Sequence, residues 1–144
     1  MKLEEREINN MRVMIDTNTI ISIVVFDSSI LKNMLNEVCD HHQLVLCSYI
    51  IDELNEVVAR KFPTKQKVLD NFLMKIPYEI EYTPKSIPNM KEIEMRDTKD
   101  EPILYSAITA NVDILITGDK DFDDVGVEKP EIMNATRFLE LYSK

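Results

Sequence analysis

Acidic side chains are the residues of this chain best suited to chemistry. Aspartate and glutamate supply 26 of the 144 residues and lysine and arginine 17, which gives a net charge of −9. Two carboxylates 4 Å apart repel by about 4 kcal/mol at an effective dielectric near 20, so clustered acids take up protons or bind cations. Oxygen-only ligands favour hard ions such as Mg²⁺ or Mn²⁺, which act on phosphate esters.

Two aspartates follow short apolar runs that predict buried strands. Asp16 follows the run Arg12–Ile15, and Asp119 follows a run over 113–117. In open parallel sheets the functional crevice lies beyond the carboxyl ends of the strands. Both acids are therefore expected in such a crevice.

Two further acids lie on predicted helices beside the apolar stripe. In a helix over 48–61, Glu53 lies about 100° from the centre of the stripe, whereas Asp52 and Glu56 point away from it. In a helix over 100–111, Asp100 lies nearly in line with the apolar stripe, and Asp97 is one turn earlier. Glu53 and Asp100 can therefore join the two strand-end acids.

Each acid alone also has a purely structural interpretation. Asp16 can end a strand, Glu53 can be a surface residue, Asp100 can cap a helix, and Asp119 can belong to a turn with Gly118. One acid after each of two strands and one on the inner border of each of two helices is harder to attribute to solvation. The joint pattern favours a cluster.

Strands that alternate with helices predict a three-layer α/β/α sandwich with a mainly parallel sheet. Residues 1–10 are interpreted as an extension, 11–144 as one domain, and 84–99 as a connector rich in proline and charge. The patterns predict strands over 12–15, 44–47, 78–82, 113–117 and 131–133. They predict helices over 28–41, 48–61, 64–76, 100–111 and from 136 onward, with Ser28, Ser48 and Thr136 as helix caps.

The scarcity of some residue types excludes several classes of site. Two glycines, Gly118 and Gly126, are too few for a dinucleotide fingerprint or a phosphate-binding loop. The adjacent His41 and His42 lack the spacing of a shared zinc site. The chain has no apolar run of about 20 residues, and its polar start lacks a secretory signal, so we expect a cytoplasmic protein with no membrane association. Its acidity argues against a broad basic face for nucleic acid.

Three segments together resemble the PIN domain: RVMIDTNTIIS, SYIIDELNEV and RDTKDEPILYSAITANVDILITGDKDF. The resemblance extends from about Met11 to Leu141 and is closest to the small prokaryotic PIN proteins described as toxins of toxin–antitoxin pairs. It implies a ribonuclease that cuts a phosphodiester with water activated by Mg²⁺ or Mn²⁺. It also implies a cognate antitoxin as partner and is compatible with a homodimer.

The resemblance assigns roles to residues by position. The catalytic, metal-binding acids are Asp16, Glu53, Asp100 and Asp119. Asn18 and Thr117 match polar positions that orient the acids by hydrogen bonds, while Asp121 and Asp97 are outer candidates. Arg96, Lys99 and Lys120 are the cations that would contact phosphate, although ordinary surface charge explains them equally well. Residues 1–10 have no counterpart in the family, and the chain is acidic for an RNA-binding enzyme.

Two other hypotheses stay open at this point. Asp16-Thr-Asn-Thr19 and the later Gly118-Asp119 also resemble the haloacid-dehalogenase phosphohydrolases, but Asn18 stands where that family has a second aspartate, and the chain is short for that fold. Alternatively, the domain is a non-catalytic binding module. Thermal stabilisation by Mn²⁺ separates the catalytic hypotheses from this one.

Overall fold

The computed structural model describes residues 10–84, 101–122 and 126–143. The predicted extension, except for residue 10, and nearly all of the connector over 84–99 lie outside these ranges. So do Arg96, Asp97, Lys99 and Asp100. The side chain of Asp121 is likewise outside the description, although its backbone is included.

Five parallel strands form the sheet that organises the fold. They run β1 Arg12–Ile15, β2 Gln43–Cys47, β3 Tyr78–Glu81, β4 Ile114–Ile116 and β5 Glu131–Met133. Their order across the sheet is β3-β2-β1-β4-β5, with β1 pairing to β2 and β4 in register Val13↔Leu44 and Val13↔Ile114. From β1 the chain steps outward through β2 to β3 on one side, and it then returns to β4 and β5 on the other side. The switch point of the strand order, where such sheets carry their sites, therefore lies between β1 and β4.

The helices that connect the strands cover the sheet. In the described ranges they are α1 Thr17–Val24, α2 Ser29–His41, α3 Ser48–Lys61, α4 Gln66–Lys75, α5 Glu101–Thr109 and α6 Ala135–Tyr142, with 3₁₀ turns at Pro63–Lys65 and Lys120–Phe122. The connections β1–β2 and β2–β3 advance one way across the sheet, and β3–β4 returns. Right-handed crossovers therefore put α5 on the face opposite α1 to α4. The predicted α/β fold with a parallel sheet is confirmed.

The core follows from the strand composition. Every residue of Val13–Ile15, Leu44–Cys47 and Ile114–Ile116 is buried and apolar, as expected for strands covered on both faces. Helices α2 and α6 contact each other, as do α1 and α3. This rigid centre fixes where β1 and β4 end, and so fixes the residues that follow them.

One helix was absent from the sequence prediction. Residues TNTIISIV, directly after β1, form α1, which buries six of its eight residues. β-Branched residues are weak helix formers, but burial overrides that preference, and the side chain of Asp16 caps the helix start.

Other differences concern the helix ends. Ser28 caps α2 as predicted, but Ser48 is the first residue of α3 rather than its cap, and Asn134 caps α6 in place of the predicted Thr136. The helix predicted over 64–76 begins as a 3₁₀ turn because Pro63 opens it. In the described ranges, no helix is long and apolar enough to cross a bilayer.

Candidate active site

Asp16 lies at the carboxyl end of the central strand, and its side chain is only 4% exposed. Its Oδ1 atom accepts a hydrogen bond of 3.0 Å from the backbone N–H of Thr19, which caps α1. Its Oδ2 atom accepts one of 2.5 Å from the hydroxyl of Thr117. The carboxylate is therefore held in place from two different elements.

Thr117 connects the two strand-end acids. Besides donating to Asp16, its hydroxyl oxygen accepts a 3.0 Å bond from the backbone N–H of Asp119. Its own backbone N–H donates to the carbonyl of Met133 at the end of β5. Thr117, which was predicted to orient the acids, thus bonds to the side chain of one and to the backbone of the other, and its role in the site stays a prediction.

Burial, hydrogen bonds and a neighbouring charge together shift the pKa of Asp16. Burial raises its pKa above the ordinary 3.8, hydrogen bonds from Thr117 and Thr19 lower it, and the nearby charge of Asp119 raises it again. The net direction is upward, so the charged form is less favourable in the folded protein than in the unfolded chain. A cation between the two carboxylates would reverse this penalty.

A cavity of about 450 Å³ opens beside these acids. Asp16 and Asp119 line it together with Asn18, so three residues predicted for the site share one cavity. Asn18 is exposed near the start of α1. Lys120 is exposed and lines a smaller neighbouring cavity of about 180 Å³ that also includes Thr117 and Asp119. Lys120 thus lies near Asp119, and its contact with phosphate stays a prediction.

Glu53 does not line the cavity of Asp16 and Asp119. It lies on α3 in a separate groove with Tyr49, Asp52 and Glu56, and the Tyr49 hydroxyl donates to its Oε2 atom at 3.5 Å. Within the described parts of the chain, no three histidine, cysteine, aspartate or glutamate residues form a group that could hold a metal by themselves. Asp100, Asp97, Arg96, Lys99 and the Asp121 side chain fall outside those parts, so their roles stay predictions.

The donor set nevertheless fits a hard divalent cation. Asp16 and Asp119 offer carboxylate oxygens on one cavity, and one of them is buried with its charge disfavoured. The Asp16 carboxylate accepts hydrogen bonds from the backbone N–H and the side chain of Thr19 and from the Thr117 hydroxyl, and a carboxylate with about four acceptor positions keeps room for a metal. Oxygen ligands of this kind suit Mg²⁺ or Mn²⁺.

The sequence analysis missed part of the cavity wall. Ser22 on α1 and Asn134 and Thr136 at the start of α6 line it with Leu31 and Ala135. Ser22 lies four residues after Asn18, so the two share one face of a helix. A prediction of α1 would therefore have placed Ser22 beside Asn18. Asn134 and Thr136 follow the last strand, and only the sheet order brings that strand beside β4.

Comparison with known proteins places this arrangement in context. Among curated proteins no significant match was found. A solved structure described as VapBC2 from Rickettsia felis bound to a DNA fragment from their promoter is similar in fold, with a TM-score of 0.66 and 20% sequence identity over 86% of this chain and 98% of the matched chain. A family model described as the PIN domain matches residues 12–121, most of the chain and all of β1 to β4. The chain belongs to the PIN domain family.

Proposed function

We propose that this protein is a divalent-metal-dependent endoribonuclease that hydrolyses RNA phosphodiesters. The observation that carries the proposal is the pairing of Asp16 and Asp119 on one cavity, joined by the hydroxyl of Thr117. PIN domains are in general nucleases, and the family match favours this hypothesis over a haloacid-dehalogenase-type phosphohydrolase.

In this proposal Asp16 and Asp119 hold Mg²⁺ or Mn²⁺. Asp100 and Glu53 stay predicted members of the acidic set, although Glu53 lines a separate groove on α3. The bound ion supplies Lewis-acid stabilisation of the phosphate and lowers the pKa of water. The protein's own contribution is preorganisation: the Thr19 N–H and the Thr117 hydroxyl fix both oxygens of Asp16. A fixed carboxylate binds a cation more tightly than a mobile one. Lys120 neutralises phosphate charge at the rim.

The decisive experiment is a cleavage assay with end-labelled single-stranded RNA in Mn²⁺, Mg²⁺ or EDTA. We expect Mn²⁺-dependent internal cuts, and a loss of at least a hundredfold in rate for Asp16→Asn and Asp119→Asn. Asp40→Asn changes an exposed aspartate on α2 and serves as the matched control, with a rate near wild type. Cleavage by Asp16→Asn at the wild-type rate would refute the proposal. A wild-type protein that neither cuts RNA nor binds Mn²⁺ would point to the non-catalytic binding module.

We further propose that the protein is the toxin of a toxin–antitoxin pair, acting in the cytoplasm and held inactive by a cognate antitoxin. The support is the PIN family together with the similarity to the Rickettsia felis VapBC2 structure. Induced expression of wild type should arrest bacterial growth, whereas Asp16→Asn should not. Normal growth under wild-type expression, at protein levels matched by immunoblot, would contradict the toxin assignment. A homodimer is a prediction for sedimentation analysis.

A further inference from the structure

The cavity beside the acids has two facing helical walls. Ser22 and Asn18 come from α1, while Asn134 and Thr136 come from the start of α6. Asp16 and Asp119 stand together at the carboxyl ends of β1 and β4, between these walls. The cavity thus includes the proposed cleavage centre and extends from it toward the residues that follow β5.

The chemistry of the walls is neutral and rich in hydrogen-bonding groups. Apart from the two aspartates, the lining residues are Asn18, Thr19, Ser22, Asn134 and Thr136, with Leu31, Gly118 and Ala135 as small or apolar surface. No lysine or arginine is among the described lining residues. A wall of hydroxyl and amide groups recognises sugar hydroxyls and base edges, whereas phosphates are usually held by cations.

Two hydroxyl groups of these walls can bind a ligand. The backbone N–H and the side chain of Thr19 both bond Asp16, and the Asn134 Oδ1 atom accepts a 2.8 Å bond from the N–H of Arg137 as the cap of α6. Ser22 donates its hydroxyl hydrogen to the carbonyl of Asn18, which leaves its oxygen able to accept. Thr136 is exposed on the second residue of α6.

The size of the cavity restricts its occupant. A volume of about 450 Å³ lies at the lower end of the range for small-molecule sites, and a double helix is far wider than such a pocket. Sequence-specific RNA recognition uses unstacked bases of single strands. The cavity is therefore matched to one unstacked nucleotide.

We propose that this cavity is a subsite for one of the two nucleotides that flank the cleaved bond, with Ser22 and Thr136 as its specificity-determining contacts. The inference rests on the proposed function, since it takes RNA as the substrate. It adds that the flanking nucleotide is read as an unpaired ribonucleotide through neutral hydrogen bonds.

Substitutions that introduce opposite charges at position 136 distinguish a role of Thr136 in RNA binding from a role in helix stability. Near a helix start an added carboxylate favours the helix and an added ammonium disfavours it. Thr136→Glu should therefore hold or raise the melting temperature while it repels RNA, and Thr136→Lys should do the reverse. Thr64→Glu and Thr64→Lys are the controls of equal charge, since Thr64 follows the far end of α3, about 21 Å of helix from the carboxyl edge of the sheet.

The test measures binding of fluorescein-labelled eight-nucleotide RNAs by anisotropy, at low salt and in EDTA, so that cleavage does not intervene. We expect Thr136→Glu to weaken binding about tenfold relative to Thr64→Glu. Ser22→Ala should weaken binding about two- to tenfold and change the ranking of oligo-U, oligo-A and oligo-C. Equal affinities for Thr136→Glu and Thr64→Glu, or no RNA binding by wild type, would overturn the inference.

A parallel cleavage assay in Mn²⁺ distinguishes this inference from the proposed function. If RNA binds through Ser22 and Thr136 but is not cut, the nuclease proposal fails and the subsite stands. If RNA is cut and the Thr136 variants bind it like their controls, the subsite fails and the nuclease proposal stands.

Discussion

Replacing the buried carboxylate of Asp16 by an amide should stabilise the metal-free protein while it abolishes cleavage. The amide oxygen of Asp16→Asn can accept the Thr19 N–H bond that caps α1. The Thr117 hydroxyl can turn to accept from the new NH₂ group. The substitution therefore removes a disfavoured charge and keeps the hydrogen bonds.

The size of the effect is taken from stabilising substitutions in general. They commonly add 0.5–2 kcal/mol, and we expect about 1 kcal/mol at pH 7. A chain of 144 residues has an unfolding entropy of about 0.3 kcal/mol/K, so the melting temperature should rise by about 3 °C.

The stability advantage of Asp16→Asn should depend on pH. Because the folded pKa of Asp16 is raised above the unfolded value near 3.8, the neutral carboxyl is preferred in the folded state. Stability from this group is complete below pH 3.8 and is lost as the pH rises through the folded pKa. The advantage of Asp16→Asn should therefore disappear in acid, where both side chains are uncharged.

Added Mn²⁺ should reverse the order of the melting temperatures of the wild type and Asp16→Asn. At a Mn²⁺ concentration of 100 Kd, binding stabilises the wild type by about 2.7 kcal/mol, or about 9 °C. Asp16→Asn should gain far less. Thermal unfolding followed by circular dichroism in EDTA and in Mn²⁺ measures both effects, with Asp40→Asn as control. A metal-free Asp16→Asn that melts below wild type, or an equal gain from Mn²⁺, would refute the reasoning.

Three further predictions concern single side chains. Thr117→Val removes a hydrogen bond that lowers the pKa of Asp16. The acid limb of the cleavage–pH profile should therefore move to higher pH, and the cleavage rate at pH 7 should fall about tenfold or more. RNA cleavage assays quenched at fixed times measure both effects. Asn134→Ala removes the cap of α6 and should cost about 1 kcal/mol in a urea unfolding experiment; an unchanged midpoint would contradict the cap's contribution. Burial lowers the pKa of His42 below 6.5, and the charge of His41 lowers it further. Because the unfolded chain then takes up the proton more readily than the folded protein, the free energy of unfolding should fall as the pH drops below about 6.5. His42→Gln should show a smaller fall between pH 7.5 and 5.5 in the same experiment.

Much of the fold was predictable because the strands covered on both faces are short and uniformly apolar. The runs that became β1, β2 and β4 have no solvent-facing side, so composition alone marked them. The order of the strands could not be predicted from these runs, because the central position of β1 depends on contacts between segments that are distant in the sequence. Helix α1 was missed because its β-branched residues suggest strand, and its burial is a tertiary effect.

The candidate site was predictable only in part, for a related reason. Acids after strands point to the carboxyl edge whatever the strand order, so Asp16 and Asp119 were predicted together and do share a cavity. Glu53 was predicted from its helical angle and from the family resemblance. It lines a separate groove, and its role stays a prediction, because helical angle does not fix how a helix is tilted over the sheet. Thr136 was predicted as a cap because it is a threonine near a helix start. Its place on the cavity depends on β5 lying beside β4.

A crystal of the wild-type protein soaked in Mn²⁺ tests most directly whether the two strand-end acids bind a metal. We expect an anomalous peak about 2.0–2.3 Å from carboxylate oxygens of both Asp16 and Asp119, and no peak at that place in Asp16→Asn. Density elsewhere, or none between these two side chains at saturating Mn²⁺, would contradict it.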